Sequence, residues 1–219
     1  MTSENRKLLL WLSLFSLAFG YIEASVVVYL RELHYPDGFH FPLAPIPARL
    51  VWTEVLREAA TLLLLLSVAF IAARTALKRF AVFAFCFGGW DLIYYLTLKL
   101  HLNWPATLLE WDVLFLIPLP WIGPVLAPIL VSGALILAAL VFLAFPPDQP
   151  SPIRRLDWIV EIIAGLIIIL SFLWNFPALQ AQAAPTYYPW WMFAAGYATG
   201  VGWFGWRILH HRKAITDTT

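Results

Sequence analysis

The sequence predicts an all-α polytopic membrane protein with six transmembrane helices and a re-entrant or interfacial half-helix before the fourth. Three observations predict it. Of the 219 residues 62% are hydrophobic and only 12% are charged, about half the charged fraction of a soluble domain. Long apolar runs recur along the whole chain, each near the ~20 residues that one helical crossing needs. None of the runs keeps the period-two alternation of a membrane barrel strand, and lipid admits only helices or closed barrels, because every backbone polar group there needs an internal partner. Residues 1–219 therefore read as a single integral membrane domain. The net charge of +1 gives no basic excess for nucleic acid, and a lone cysteine, Cys86, excludes an internal disulfide, a CxxC redox pair or a multi-thiolate metal site.

The first run covers residues 8–30. Arg6 and Lys7 before it resemble the start of a signal peptide, but the apolar stretch resumes after Glu23 and outlasts a signal core, and Ile22-Glu23-Ala24 is a poor cleavage site. It reads as a retained helix. A segment with four prolines, RELHYPDGFHFPLAPIPARL from Arg31 to Leu50, cannot be one continuous helix and reads as an extended flap. The second and third runs cover 51–73 and 80–101. After His101, LNWPATLLEWDVLFLI is apolar yet too short for a return crossing, which leads to the half-helix starting near Pro105. The fourth run, 118–145, carries Pro118, Pro120, Pro124 and Pro128 in its outer half, so it is expected to be kinked or unwound there. The last two runs cover 157–176 and 187–209. Gly196 and Gly200 in the last form a GxxxG, with Gly202 and Gly205 nearby, and read as a packing face inside the bundle or between protomers. GWDLIYY and EWDVLFL share a Trp-Asp core but fall on dissimilar elements, so they are not a repeat.

Lys and Arg set the expected topology. Arg6, Lys7, Arg74, Lys78, Arg79, Arg154, Arg155, Arg207, Arg212 and Lys213 all fall on one side of a six-span arrangement, and only Arg31, Arg49, Arg57 and Lys99 fall on the other. By the positive-inside rule both termini are cytoplasmic, in a multi-pass protein of the cell membrane. Trp52, Trp104, Trp111, Trp121, Trp190 and Trp191 then mark the outer interface, and Trp158 and Trp206 the inner one.

Acids inside the spans carry the functional expectation. Glu23 and Glu58 lie about seven residues, roughly 10 Å, below the outer ends of their helices, and Asp91 sits roughly 15 Å deep on the third. Acids at such depth are costly unless they face the bundle interior with a partner, so Glu23, Glu58 and Asp91 are the candidate catalytic residues. Glu54 and Glu58 share a helix face at i, i+4, with Arg57 placed to pair with Glu54. Asp91, Tyr95 and Lys99 follow at i, i+4, i+8. Arg57, Tyr94, Tyr95, Lys99 and Asp112 are therefore the candidate substrate-binding residues, with Glu110 closing the cluster from above. Glu54, Glu58 and Asp91 offer oxygen ligands of the kind a divalent cation takes. His34, Asp37 and His40 in the flap are a weaker metal set. Glu161 is expected to pair with Arg154 or Arg155, or to be solvated.

Three functions fit. The leading one is a membrane-embedded enzyme acting on a lipid or amphipathic substrate in a cavity open to the outer side. The others are a proton- or cation-coupled small-solute transporter and an accessory subunit of a membrane complex. Membrane lipid is the expected partner, with a homo-oligomer or a partner membrane subunit also compatible with the glycine face.

Overall fold

The computed structural model describes residues 3–145 and 153–216, and in Ser3 and residues 212–216 only the backbone. Arg212 and Lys213 therefore contribute no side-chain statement to the topology expected above. Helices dominate: α1 (Ser3–His34), α2 (Ala48–Ala72), α3 (Ala76–Leu102), α4 (Leu126–Ala144), α5 (Arg155–Leu173), the short α6 (Phe176–Gln180) and α7 (Trp190–Thr216), with two strands, β1 (Trp111–Phe115) and β2 (Trp121–Pro124), between α3 and α4. Among the described residues, five helical segments are long and apolar enough to cross a membrane, beginning with α1 and ending with α5 and its continuation through Gln180. Their outward surfaces carry large apolar side chains such as Leu33, Leu63, Ile71, Leu100 and Leu137, the surface a helix presents to lipid rather than to water. The protein is a helical membrane protein. α7 is as long as α3, but its apolar residues are interrupted by Trp, Tyr and Gly and it is not among the five.

α3 is the hub. α1, α2 and α4 pack on it, whereas α1 and α2 barely touch one another; α5 and α7 form a second pair, joined to the first group through α4 and the hairpin. Close approach needs glycine at the crossings. A Cβ on Gly20 of α1 would stand 2.7 Å from Ile93 Cβ of α3, one on Gly88 of α3 would stand 2.7 Å from the Ser132 carbonyl of α4, and one on Gly196 of α7 would stand 2.8 Å from the Ala164 carbonyl of α5. The GxxxG of the last helix thus packs inside the bundle, with Gly200 facing Glu161 and Ala164, while Gly202 and Gly205 face open space. One apolar core, with Leu12, Leu65, Val82, Cys86 and Phe142, fills one half of the bundle. A second, with Phe172, Tyr188 and Phe193, lies against Trp111, Leu114 and Trp121 of the hairpin.

The main departure from expectation lies between residues 103 and 125. The segment read as a half-helix is an antiparallel hairpin, with Asp112 opposite Gly123, Val113 opposite Ile122 and an irregularity between Val113 and Phe115. Val113, Phe115, Trp121 and Ile122 favour a pleated surface. Pro118 and Pro120, which in sequence suggest a kinked fourth helix, occupy the hairpin turn instead, and α4 starts only at Leu126. A lone two-stranded ribbon is marginal in water; here helices enclose it, with Ile122 and Val125 fully buried. Three tryptophans expected in an interfacial belt also turn inward: Trp104 lies over Arg31, Trp111 meets Tyr188 edge-on and Trp121 stacks on Phe172. The flap is non-helical from Tyr35 to Pro47, pinned where the Tyr35 hydroxyl accepts the Ala44 N–H at 2.8 Å.

Candidate functional site

Because α1 and α2 diverge while both rest on α3, a gap opens between them, and the hairpin forms its far wall. The result is a cavity of about 540 Å³, in the range of small-molecule sites. Each helix contributes one face at helical spacing: Glu23, Val27, Leu30, Arg31 and His34 from α1; Glu54, Arg57, Glu58 and Leu62 from α2; Phe87, Trp90, Asp91, Tyr94 and Tyr95 from α3. Residues 112–117 of the hairpin and its turn, Trp121, Pro128, Val131 and Ser132 of α4, and Phe172 of α5 complete the lining, with Tyr35, Phe39, Leu43 and Ile46 from the flap. The walls are mostly apolar and the polar groups are few. Glu23, Glu58 and Asp91 do line one chamber, together with Arg57, Tyr94, Tyr95 and Asp112.

Their partners differ in kind. Arg57 bridges two acids: its guanidinium pairs with Glu23 across the helices and with Glu54 at 2.8 Å on its own helix. Asp112, 2% exposed, receives Arg31 at 2.7 Å and the Val113 N–H at 2.9 Å. Burial pushes the Asp112 carboxyl above its ordinary range, and the Arg31 guanidinium is the largest influence pulling it back. Glu58 and Asp91 form no ion pair among the described residues, and Arg57 acts on Glu58 only through space. Glu58 Oε2 accepts the Leu116 N–H of the hairpin turn at 2.8 Å, and Asp91 Oδ2 accepts the Ser132 hydroxyl of α4 at 2.8 Å. Each therefore keeps one oxygen without a partner among the described residues.

Arg31 is placed between two spaces. Its guanidinium carbon lies 4.1 Å from the ring centre of Phe39 in the flap and 3.8 Å from that of Trp104 beyond α3, a cation held between two aromatic faces. On its outer side is a second, more polar recess lined by Glu32, Asp37, His40, His101 and Glu110. Arg31, Tyr35 and Phe39 border both spaces.

Several sequence expectations find other places. Lys99 is not in the chamber; its ammonium donates to the carbonyls of Asn103 and Pro105 and closes the end of α3. Glu110 faces the outer recess, where Oε1 accepts the Ala106 and Thr107 N–H groups. The metal sets do not assemble. No group of three or more His, Cys, Asp or Glu among the described residues is arranged to hold an ion, which removes both Glu54, Glu58, Asp91 and the flap set His34, Asp37, His40. Glu54 is already committed to Arg57. Glu161 does not pair with Arg154 or Arg155: its Oε1 is buried without a partner among the described residues. Sequence reasoning misses Ser132, the Leu116 N–H and the role of Arg31. Arg31 does carry a signal, since it follows Glu23 and Val27 at i+8 and i+4 on one helix face; the other two depend on the hairpin.

No family model, curated protein or solved structure matches the chain. Its function has to be argued from the chamber.

Proposed function

We propose that the protein is a membrane-embedded enzyme that handles the polar head of a lipid or other amphipathic substrate in this chamber, with Glu58 and Asp91 as its proton acceptor and donor. The reading takes the chain as six-pass in the cell membrane, with both termini cytoplasmic and the chamber toward the outer side. One observation carries it: of the acids lining the chamber, Glu23, Glu54 and Asp112 are matched by arginines, while Glu58 and Asp91 are met only by a neutral donor each. A carboxyl engaged by a cation is held in one state; one that keeps a free oxygen beside a cavity is available to hold and pass a proton. Apolar walls around a small polar set suit a ligand with an apolar body and one polar end.

The test compares membranes of cells producing wild-type protein, Glu58→Gln or Asp91→Asn at matched levels, with total lipids and extractable amphipaths quantified by mass spectrometry. A compound consumed or produced with wild type and unchanged with either variant is the expected result. Identical profiles for wild type, both variants and an empty control would overturn the enzymatic reading.

The outer recess that meets the chamber at Arg31, Tyr35 and Phe39 supports a second reading, a proton- or cation-coupled transporter in which Arg31 separates an outer from an inner compartment. It predicts uptake or release by reconstituted vesicles, abolished by the same two variants, with no chemical change in the solute.

A further inference from the structure

We infer that the substrate's head group is a protonated amine. The inference rests on the chamber being the substrate site, and it deepens that reading by naming the chemistry of the ligand.

Charge around the chamber is unbalanced in one direction. Five acids, Glu23, Glu54, Glu58, Asp91 and Asp112, face two arginines, Arg31 and Arg57. Arg57 serves Glu23 and Glu54, and Arg31 serves Asp112. Arg57 also acts on Glu58 through space, and His34 lines the chamber, but among the described residues no basic side chain stands at ion-pair distance from Glu58 or Asp91. Both lie within spanning helices, where an ionised carboxyl without a positive neighbour is strongly disfavoured.

The second observation is the condition of Glu58 itself. It is only 7% exposed and borders the chamber. Oε2 is held by the Leu116 N–H, which fixes the carboxyl plane. Oε1 has no partner among the described residues, yet it is not among the side-chain atoms sealed from all accessible space. The accessible space that Glu58 borders is the chamber, so Oε1 is an acceptor aimed at whatever fills it. An anionic head group would place like charge against that oxygen and against Asp91. Nor does an arginine stand ready for an anion: Arg57 is paired with two carboxylates, and the nitrogen that Arg31 leaves unpaired beside its bond to Asp112, Nη1, is buried away from accessible space. An ammonium group supplies charge and N–H donors together, and charge-assisted hydrogen bonds are the strong kind. Trp90, Tyr94, Tyr95 and Trp121 also line the space and offer aromatic faces, which attract cations and repel anions. The apolar remainder of the wall accommodates an alkyl body.

The experiment uses full-length protein in neutral phosphatidylcholine nanodiscs and three photoreactive diazirine probes on one dodecyl chain, ending in a primary ammonium, a hydroxyl or a carboxylate. Labelled residues are mapped by mass spectrometry, and saturation is measured against unlabelled competitor. The ammonium probe is expected to label chamber residues such as Leu62 and Val131 saturably, at least about tenfold more tightly than the carboxylate probe. It should lose about tenfold in Glu58→Gln and in Asp91→Asn, with no loss in Leu63→Ala on the lipid-facing surface. If the hydroxyl probe binds as tightly as the ammonium, protons already neutralise the pair and the inference falls while the chamber remains a site. Equal or tighter carboxylate binding overturns it likewise. Ammonium labelling that is indifferent to both variants reports membrane partitioning and also overturns it. Absence of saturable labelling in the chamber by every probe removes the substrate-site reading as well.

Discussion

Arg31 of α1 and Asp112 of β1 form an ion pair at 2.7 Å, 6% and 2% exposed, with the guanidinium clasped between Phe39 and Trp104. That one side chain ties α1, the flap, the loop after α3 and the hairpin together. The hairpin in turn carries the Leu116 N–H that holds Glu58. The pair thus supports the hairpin wall of the chamber that both residues line.

Removing one member of this pair should be worse than removing both. Asp112→Leu leaves a buried guanidinium unopposed, and Arg31→Met leaves a buried carboxylate. Each single change is expected to destabilise by about 3–5 kcal/mol, whereas the double variant should recover most of the loss, since a buried pair replaced by apolar side chains is often neutral. Thermal unfolding in detergent of the four proteins tests this. Additive losses in the double variant would show that the two residues contribute independently. Arg31→Lys should also lose stability, because an ammonium lacks the planar surface that lies between two rings.

Lys78 invites a different comparison. Positive charge at residues 74–79 is a topology signal in the sequence, and in the structure Lys78 also secures a helix end, where Nζ donates to the carbonyls of Phe142, Leu143 and Phe145 at 2.8–3.0 Å. These carbonyls lie at the end of α4, where the last turn has no intrahelical donors. The Phe142 carbonyl also accepts the Phe145 N–H and the Leu143 carbonyl the Asn5 side-chain amide, so Lys78→Met leaves the Phe145 carbonyl unpaired and should destabilise by roughly 1–2 kcal/mol, while Arg74→Met, at an exposed position, should stay within about 0.5 kcal/mol. Hydrogen exchange of the α4 C-terminal amides, compared between the two variants, reads the difference locally.

How much of this is legible in the sequence depends on whether the signal is local. The runs at 8–30, 51–73, 80–101 and 157–176 fall on α1, α2, α3 and α5 because apolar length is a local property. The shared chamber of Glu23, Glu58 and Asp91 is legible as similar depth, since each helix supplies its own ruler. Partner identity is not. Ser132 lies 41 positions from Asp91 and Leu116 lies 58 from Glu58, and no local pattern ties them. The hairpin escapes the sequence because residues 111–117 are apolar enough for either a helix or a buried strand, an ambiguity that periodicity cannot resolve in so short a run. Assigning Pro118 and Pro120 to a kinked helix rather than to a turn then moves the expected start of α4 with them.

The glycine contacts separate required from incidental small residues. Gly88→Ala would set a Cβ 2.7 Å from the Ser132 carbonyl, so α3 and α4 must move apart at a cost of about 1–3 kcal/mol. Because Ser132 also donates to Asp91, activity or ligand binding should fall together with stability. A Cβ on Gly133, the next residue of α4 after Ser132, meets nothing within 4 Å, so Gly133→Ala should be neutral or stabilising by up to about 1 kcal/mol from helix propensity. A Gly133→Ala variant less stable than Gly88→Ala would contradict the packing of α3 on α4.

The second helix pair carries its own buried ion pair. Asp157 Oδ2 accepts Arg207 Nε at 2.9 Å and the Arg154 N–H at 2.7 Å, while Oδ1 accepts the Trp203 indole N–H at 3.0 Å. One carboxylate therefore caps α5 and fastens α7 to it. Asp157→Ala strands a guanidinium that is 8% exposed and is expected to destabilise by about 3–5 kcal/mol. The nearby Glu161, one helical turn along on the same face, has its Oε1 buried without a partner among the described residues and could take over only if the Arg207 guanidinium moved by about one turn, ~5 Å. Loss of the Trp203 hydrogen bond should shift its emission, and α7 should become protease-sensitive before α3 does. Chamber ligand binding at low temperature should survive, since the residues at Asp157 and those at Glu58 belong to different helix groups. Loss of binding in a folded Asp157→Ala protein would mean that the two groups are coupled through the hairpin.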